Sequence, residues 1–129
     1  MTDLRPLFDR YAAAWAVRDP DAIAALHSED GVFHLHAGQE PVRGREAIRD
    51  TLAGFFASYP DLAFELVDVR FGADHWAVEW KMTSEAFEVD LADIVTISDG
   101  RVASKQSYVD ALSLQEQLER SAAPAEVAA

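Results

Sequence analysis

The sequence predicts an α+β domain. Helical spacing of apolar residues governs most of the chain through Tyr59. After Pro60 the apolar period changes from 3.6 to 2, and an Asp99-Gly100 dipeptide joins two of the alternating runs. Helices grouped ahead of a strand meander pack against one face of a sheet, and a twisted sheet backed this way leaves a cone with room for a ligand at its mouth.

The first helix is expected over Asp3–Arg18, where Leu4, Leu7, Phe8, Tyr11, Ala14 and Trp15 share one face. Pro6 is tolerated because it falls in the first turn. Asp19 is a good N-cap and Pro20 suits the first helical position, so a short helix follows and runs to His27. Asp30-Gly31 reads as a turn, Val32–Ala37 as a strand and Gly38–Gly44 as a loop. A third helix spans Arg45–Tyr59, with Ile48, Leu52, Phe55, Phe56 and Tyr59 on its apolar side, and Pro60 stops it. Alternation then predicts strands over Leu62–Phe71, His75–Phe87, Val89–Ser98 and Arg101–Val109. Asp110 caps a last helix carrying Leu112, Leu114 and Leu118. The domain is expected to occupy residues 1–120, with 121–129 a fraying tail.

The 129 residues suit one domain, and half of them are hydrophobic, which is ordinary for a globular chain. The formal charge of −12 repels phosphate backbones and anionic bilayers, so neither nucleic acid nor membrane is an expected partner. No cysteine is present, which rules out disulfides, thiolate nucleophiles and Cys-based metal sites. The opening residues lack a basic region followed by an apolar run, so no signal peptide is read and a cytoplasmic location is expected. No Gly-rich phosphate loop and no G-x-S-x-G motif occurs, and no cofactor is expected.

The stretch YAAAWAVRDPDAIAALHSEDGVFHLHAGQEPVRGREAIRDTL resembles the N-terminal half of NTF2-like proteins, and is most similar to the SnoaL-type polyketide cyclases and the ketosteroid isomerases. DIVTISDGRVASKQSYVD resembles the strand pair of the same family, and the likeness runs from Leu4 to Leu118. It implies a cone of helices against a curved sheet, an internal pocket for a small hydrophobic molecule, and a homodimer packed through the sheet. The apolar residues on both faces of Ile94–Ile97 agree with that packing.

The resemblance also implies roles for individual residues. Tyr11 matches a helix-1 tyrosine that donates a hydrogen bond to the substrate oxyanion, and Asp93 matches an aspartic acid that stays protonated beside it. Asp93 alternates with Leu91, Val95 and Ile97, so it is either exposed at the mouth of the cone or buried and shifted in pKa. The isomerases carry their general base on the first strand, but the matching position here is Leu35, which moves no proton.

His34 and His36 flank Leu35 and are the candidate replacement bases. Alternation places them opposite Phe33 and Leu35, so an inward Leu35 turns both histidines outward. Their i, i+2 spacing also fits a metal pair, which needs at least a third ligand. His27 and His75 receive no role. Trp15, Phe33, Leu35, Phe55, Tyr59, Trp76, Trp80 and Met82 are the expected pocket lining. Lys105 and Gln106 point to opposite faces of the last strand. An inward Lys105 pairs with Asp93 and keeps it ionised, whereas an inward Gln106 leaves the protonated acid intact.

The sequence therefore supports three readings. One is a cofactor-independent isomerase- or cyclase-like enzyme acting on a hydrophobic carbonyl compound. The second is a non-catalytic ligand-binding or dimerisation domain. The third is a metal-dependent enzyme centred on His34 and His36.

Overall fold

A computed structural model describes residues 3–122. The order is α1 (Arg5–Ala16), α2 (Pro20–Ala25), β1 (His27–His36), β2 (Val42–Arg43), α3 (Arg45–Ser58), β3 (Ala63–Phe71), β4 (His75–Ser84), β5 (Phe87–Ser98), β6 (Arg101–Val109) and α4 (Ala111–Ala122). The six strands form one curved, unclosed sheet in the order β2-β1-β6-β5-β4-β3. Only β1 and β6 run parallel; the other neighbours are antiparallel. This is the expected α+β cone.

Local chemistry explains the punctuation. Asp19 caps α2 by accepting from the Ala22 backbone N–H at 3.1 Å, with Pro20 in the first turn. Asp99 and Gly100, both at positive φ (52° and 73°), make the tight β5–β6 turn that right-twisted strands require. Gly44 enters α3 at φ 93°, a conformation an L side chain rarely adopts.

The sheet's concave face carries the core. β5 alternates without interruption: Phe87, Val89, Leu91, Asp93, Val95 and Ile97 are buried, and the residues between them are exposed. Leu7, Phe8 and Tyr11 of α1 and Ile48, Leu52 and Phe56 of α3 pack into the same cluster as Trp76 and Val95. The convex face leaves Ile94 and Tyr108 exposed.

Several boundaries differ from the sequence expectation. α2 stops at Ala25, which releases His27 into the start of β1. Asp30-Gly31 lies inside β1 as a bulge, not in a free turn: His27 pairs with Val102, but the next register is Val32 with Ser104. A Cβ on Gly31 would come within 3.1 Å of the Ser28 carbonyl oxygen, and the Gly31 carbonyl accepts from Gly44 N–H at 2.8 Å. That bond anchors β2, a two-residue strand within the segment for which the sequence predicts a loop. β4 ends at Ser84, before the expected Phe87. α4 spans Ala111–Ala122, and the rest of the expected tail lies outside the described residues.

Among the described residues no helix is long and apolar enough to cross a membrane.

Candidate functional site

A cavity of about 700 Å³ opens between α1, α3, α4 and the concave face of the sheet. Its wall is mostly apolar and aromatic. Trp15, Phe33, Leu35, Phe55, Tyr59, Trp76, Trp80 and Met82 all line it. Phe8, Phe64 and Phe87 join them, with Leu114 and Leu118 of α4. Phe8 packs edge-on to Trp76 (5.3 Å), and Trp15 edge-on to Phe64 (5.4 Å).

Strand register decides which polar groups reach the cavity. In one row across the sheet Leu35 pairs with Ser107, Ser107 with Asp93, and Asp93 with Val78. The neighbouring inward row is Phe33, Lys105, Val95 and Trp76. Lys105 is therefore the inward member of its pair, and its Nζ lies 2.7 Å from Asp93 Oδ2. Ser107 Oγ donates to the other carboxylate oxygen. Both ions are buried, Asp93 to 2% exposure and Lys105 to 6%. The Lys105 ammonium also sits 5.0 Å from the centre of the Trp15 ring and 5.6 Å from that of Tyr11. The expectation of a protonated Asp93 as oxyanion donor is corrected here, because its carboxylate is paired with a lysine and accepts from a serine.

Tyr11 is buried at the same end of the cavity, where loss of water raises its pKa and keeps the phenol neutral. Its hydroxyl oxygen lies 2.8 Å from His27 Nε2. Burial, then the charges of Lys105 and Arg45, push the His27 pKa down to about 3, so this imidazole is neutral. Arg45 donates twice to the His27 carbonyl, at 2.7 and 3.1 Å. Sequence reasoning passed over His27 because it was placed at a helix end. Its position one residue after Leu26, opposite Val102, becomes evident once α2 is seen to stop early. Ser107 was passed over too, although it shares the inward alternation of Lys105.

His34 and His36 are corrected as candidate bases. They belong to the outward rows, His34 opposite Gln106 and His36 opposite Tyr108, and neither lines the cavity. His34 Nε2 is 2.9 Å from the Gln39 carbonyl, His36 Nε2 is 2.8 Å from Gln106 Oε1, and the His36 ring stacks on Tyr108 at 4.2 Å. Leu35 points inward, so its two neighbours turn away. No third metal ligand joins them: among the described residues no group of three or more His, Asp or Glu side chains is placed to hold a metal ion.

An apolar chamber with a few convergent polar groups at one end is the arrangement of a small-molecule site. The family profile described as "SnoaL-like domain" matches residues 8–105, which contain Tyr11, His27, Asp93 and Lys105. The chain belongs to the SnoaL-like domain family. This SnoaL-like protein is 32% identical over 104 residues to the steroid Delta-isomerase of Nocardioides simplex, an alignment covering 77% of this chain and 83% of that one. Two of the solved structures that share its fold illustrate the likeness. One is a protein from Catenulispora acidiphila with a ketosteroid isomerase-like fold, in complex with trimethylamine (TM-score 0.78, 23% identity, 89% of this chain and 93% of that one). The other is IdmH from Streptomyces antibioticus, a proposed polyketide cyclase (TM-score 0.77, 19% identity, 92% and 99%).

Proposed function

We propose that this SnoaL-like protein is a cofactor-independent isomerase- or cyclase-like enzyme acting on a hydrophobic carbonyl compound. The observation that supports this is the buried Lys105–Asp93 pair facing an apolar cavity beside the Tyr11 phenol. The 32% identity to a steroid isomerase agrees with it.

In this reading the substrate carbonyl oxygen lies against Tyr11 and Lys105. Asp93 takes the proton from the carbon next to the carbonyl. The C–H electrons become the carbon–carbon double bond of an enolate, and the carbonyl electrons move onto oxygen. The Tyr11 O–H and the Lys105 ammonium stabilise that negative charge. Asp93 then returns the proton to a different carbon, and the substrate leaves isomerised with no atom gained or lost. Asp93 has this role because it is the carboxylate deep in the cavity; Asp9 lies at the exposed rim and is paired with Arg5.

One observation favours a second reading. Leu35 stands in the wall where the isomerases carry their base, which suits a binding pocket without turnover. Two measurements separate the readings: equilenin fluorescence, which reports occupation by an enolate-like phenolic steroid, and enone absorbance from a β,γ-unsaturated steroid ketone. The enzymatic reading predicts conversion, abolished in Asp93→Asn and reduced about 10²-fold or more in Tyr11→Phe. Equilenin binding with no conversion leaves the binding reading. Conversion that survives Asp93→Asn removes Asp93 from the mechanism.

We also propose a homodimer through the convex face, where Ile94 and Tyr108 are exposed. Light scattering should give twice the chain mass, and a concentration-independent monomer contradicts it.

A further inference from the structure

We infer that His27 is the positioning residue for Tyr11: its Nε2–H donates to the phenol oxygen, which leaves the phenol's own proton free to point at a ligand oxygen in the cavity. The inference rests on the reading of Tyr11 as a donor to substrate.

The argument turns on where the single proton of a neutral imidazole sits. Tyr11 Oη and His27 Nε2 are 2.8 Å apart, and either atom can be the donor. Among the described residues His27 Nδ1 is buried with no hydrogen-bond partner. If the ring proton were on Nδ1, a buried N–H would be stranded, and the Tyr11 proton would be spent on Nε2. Tyr11 would then offer a ligand nothing but lone pairs.

With the proton on Nε2, the stranded atom is a lone pair on Nδ1. Its surroundings suit a lone pair. The Arg45 guanidinium lies on the backbone side of this residue, within 2.7 Å of the His27 carbonyl oxygen, and Nδ1 is the ring nitrogen nearer the backbone. A positive charge there attracts electron density and repels an N–H dipole. Lys105, over the Tyr11 ring, adds positive potential on the cavity side. The low His27 pKa keeps a second proton off the ring, so the hydrogen bond keeps one polarity across the neutral range.

The consequence for ligands is specific. Lys105 and a proton-donating Tyr11 both present hydrogens to the cavity end, so the site selects a ligand oxygen carrying partial or full negative charge: an enolate, a phenolate or a polarised ketone. At Tyr11 itself, an alcohol or amine offering a proton would have to share the phenol oxygen with His27 Nε2–H, which leaves Asp93 as the acceptor at this end of the cavity.

Long-range proton–nitrogen correlation spectra of ¹⁵N-labelled protein test this directly, with the His27 signals assigned by their loss in His27→Gln. The expected pattern is a protonated Nε2 and an unprotonated Nδ1; a protonated Nδ1 overturns the inference. Equilenin titration supplies a second readout. Gln retains an N–H near the Nε2 position, so His27→Gln should lose less than about threefold in affinity, and His27→Leu about tenfold. Equal losses in the two variants overturn the inference, because the contact would then not act through a proton. If the parent protein binds no equilenin, the proposed function is the reading that fails, and the spectrum alone decides the His27 proton.

Discussion

Lys105 Nζ lies 2.7 Å from Asp93 Oδ2, and strand register puts the two residues on adjacent inward rows of β5 and β6. A lysine and an aspartate buried together in an apolar chamber form a pair whose members depend on each other. Each charge has lost its water, and the other replaces part of what was lost. In the proposed reading the pair supplies an ammonium to stabilise negative charge and a carboxylate to take a proton.

The first prediction concerns stability. Asp93→Leu or Lys105→Met alone leaves an uncompensated buried charge and should cost about 3–5 kcal/mol. The double variant, with two apolar groups facing each other, should lie much closer to the parent. Urea unfolding midpoints for the four proteins complete the cycle. Additive single costs would mean that the two side chains do not interact as their distance implies.

His27 makes stability depend on pH. Its folded pKa is about 3 against an ordinary 6.5, so below 6.5 the unfolded chain binds a proton that the fold refuses. Its contribution is complete above pH 6.5 and is lost as pH falls toward 3, with a limiting slope of about 1.4 kcal/mol per pH unit. Replacing it by Gln removes that titration. The parent minus His27→Gln stability difference, followed by urea unfolding from pH 7 to 4, should therefore shrink as the solution becomes more acid. A difference that stays constant across this range would show that His27 protonates equally in both states.

Much of this was legible in the sequence because period-2 alternation fixes side-chain direction once one residue of a strand is placed. An inward Leu35 meant outward His34 and His36, and an inward Lys105 meant a pair with Asp93. The choice between Lys105 and Gln106 was not legible, because it depends on the register between β5 and β6. That register shifts between Thr96 and Ile97, beside the turn, and no composition signal reports such a shift. His27 was hidden for a related reason. The bulge between His27 and Val32 breaks the alternation that would have tied it to the rest of β1, so its burial follows from tertiary packing alone.

Gln117 performs a substitution of its own. β6 pairs with β5 only from Leu91 onward, which leaves the Glu88 peptide without a strand on that side. The Gln117 carboxamide fills the gap: its oxygen accepts from Glu88 N–H at 2.8 Å, and its nitrogen donates to the Glu88 carbonyl at 2.9 Å. One side chain thereby acts as a short piece of β-strand and docks α4, whose Leu114 and Leu118 close one wall of the cavity. Gln117→Ala should cost about 1–3 kcal/mol. It should also accelerate hydrogen exchange at Glu88 and along α4 before the rest of the sheet. Unchanged exchange at Glu88 would show that α4 is held by its leucines alone.

The last prediction returns to Leu35. It lines the cavity in the row of Ser107 and Asp93, two strands from Asp93, or about 10 Å between backbones. Leu35→Asp places a carboxylate in this wall beside Ser107 and diagonal to Lys105 through the Phe33–Lys105 pairing. Burial in an apolar wall raises the pKa of such a group, which makes it a stronger base once ionised. If Tyr11 and Lys105 hold the enolate oxygen as proposed, this variant should convert a β,γ-unsaturated steroid ketone faster than the parent. Its rate should rise with pH through an apparent pKa above the ordinary aspartate value, at the expense of some stability. Enone absorbance against pH gives the profile. A properly folded Leu35→Asp protein that binds equilenin and gains no rate would mean that the carbonyl oxygen does not sit between Tyr11 and Lys105. The binding reading would then take precedence over the enzymatic one.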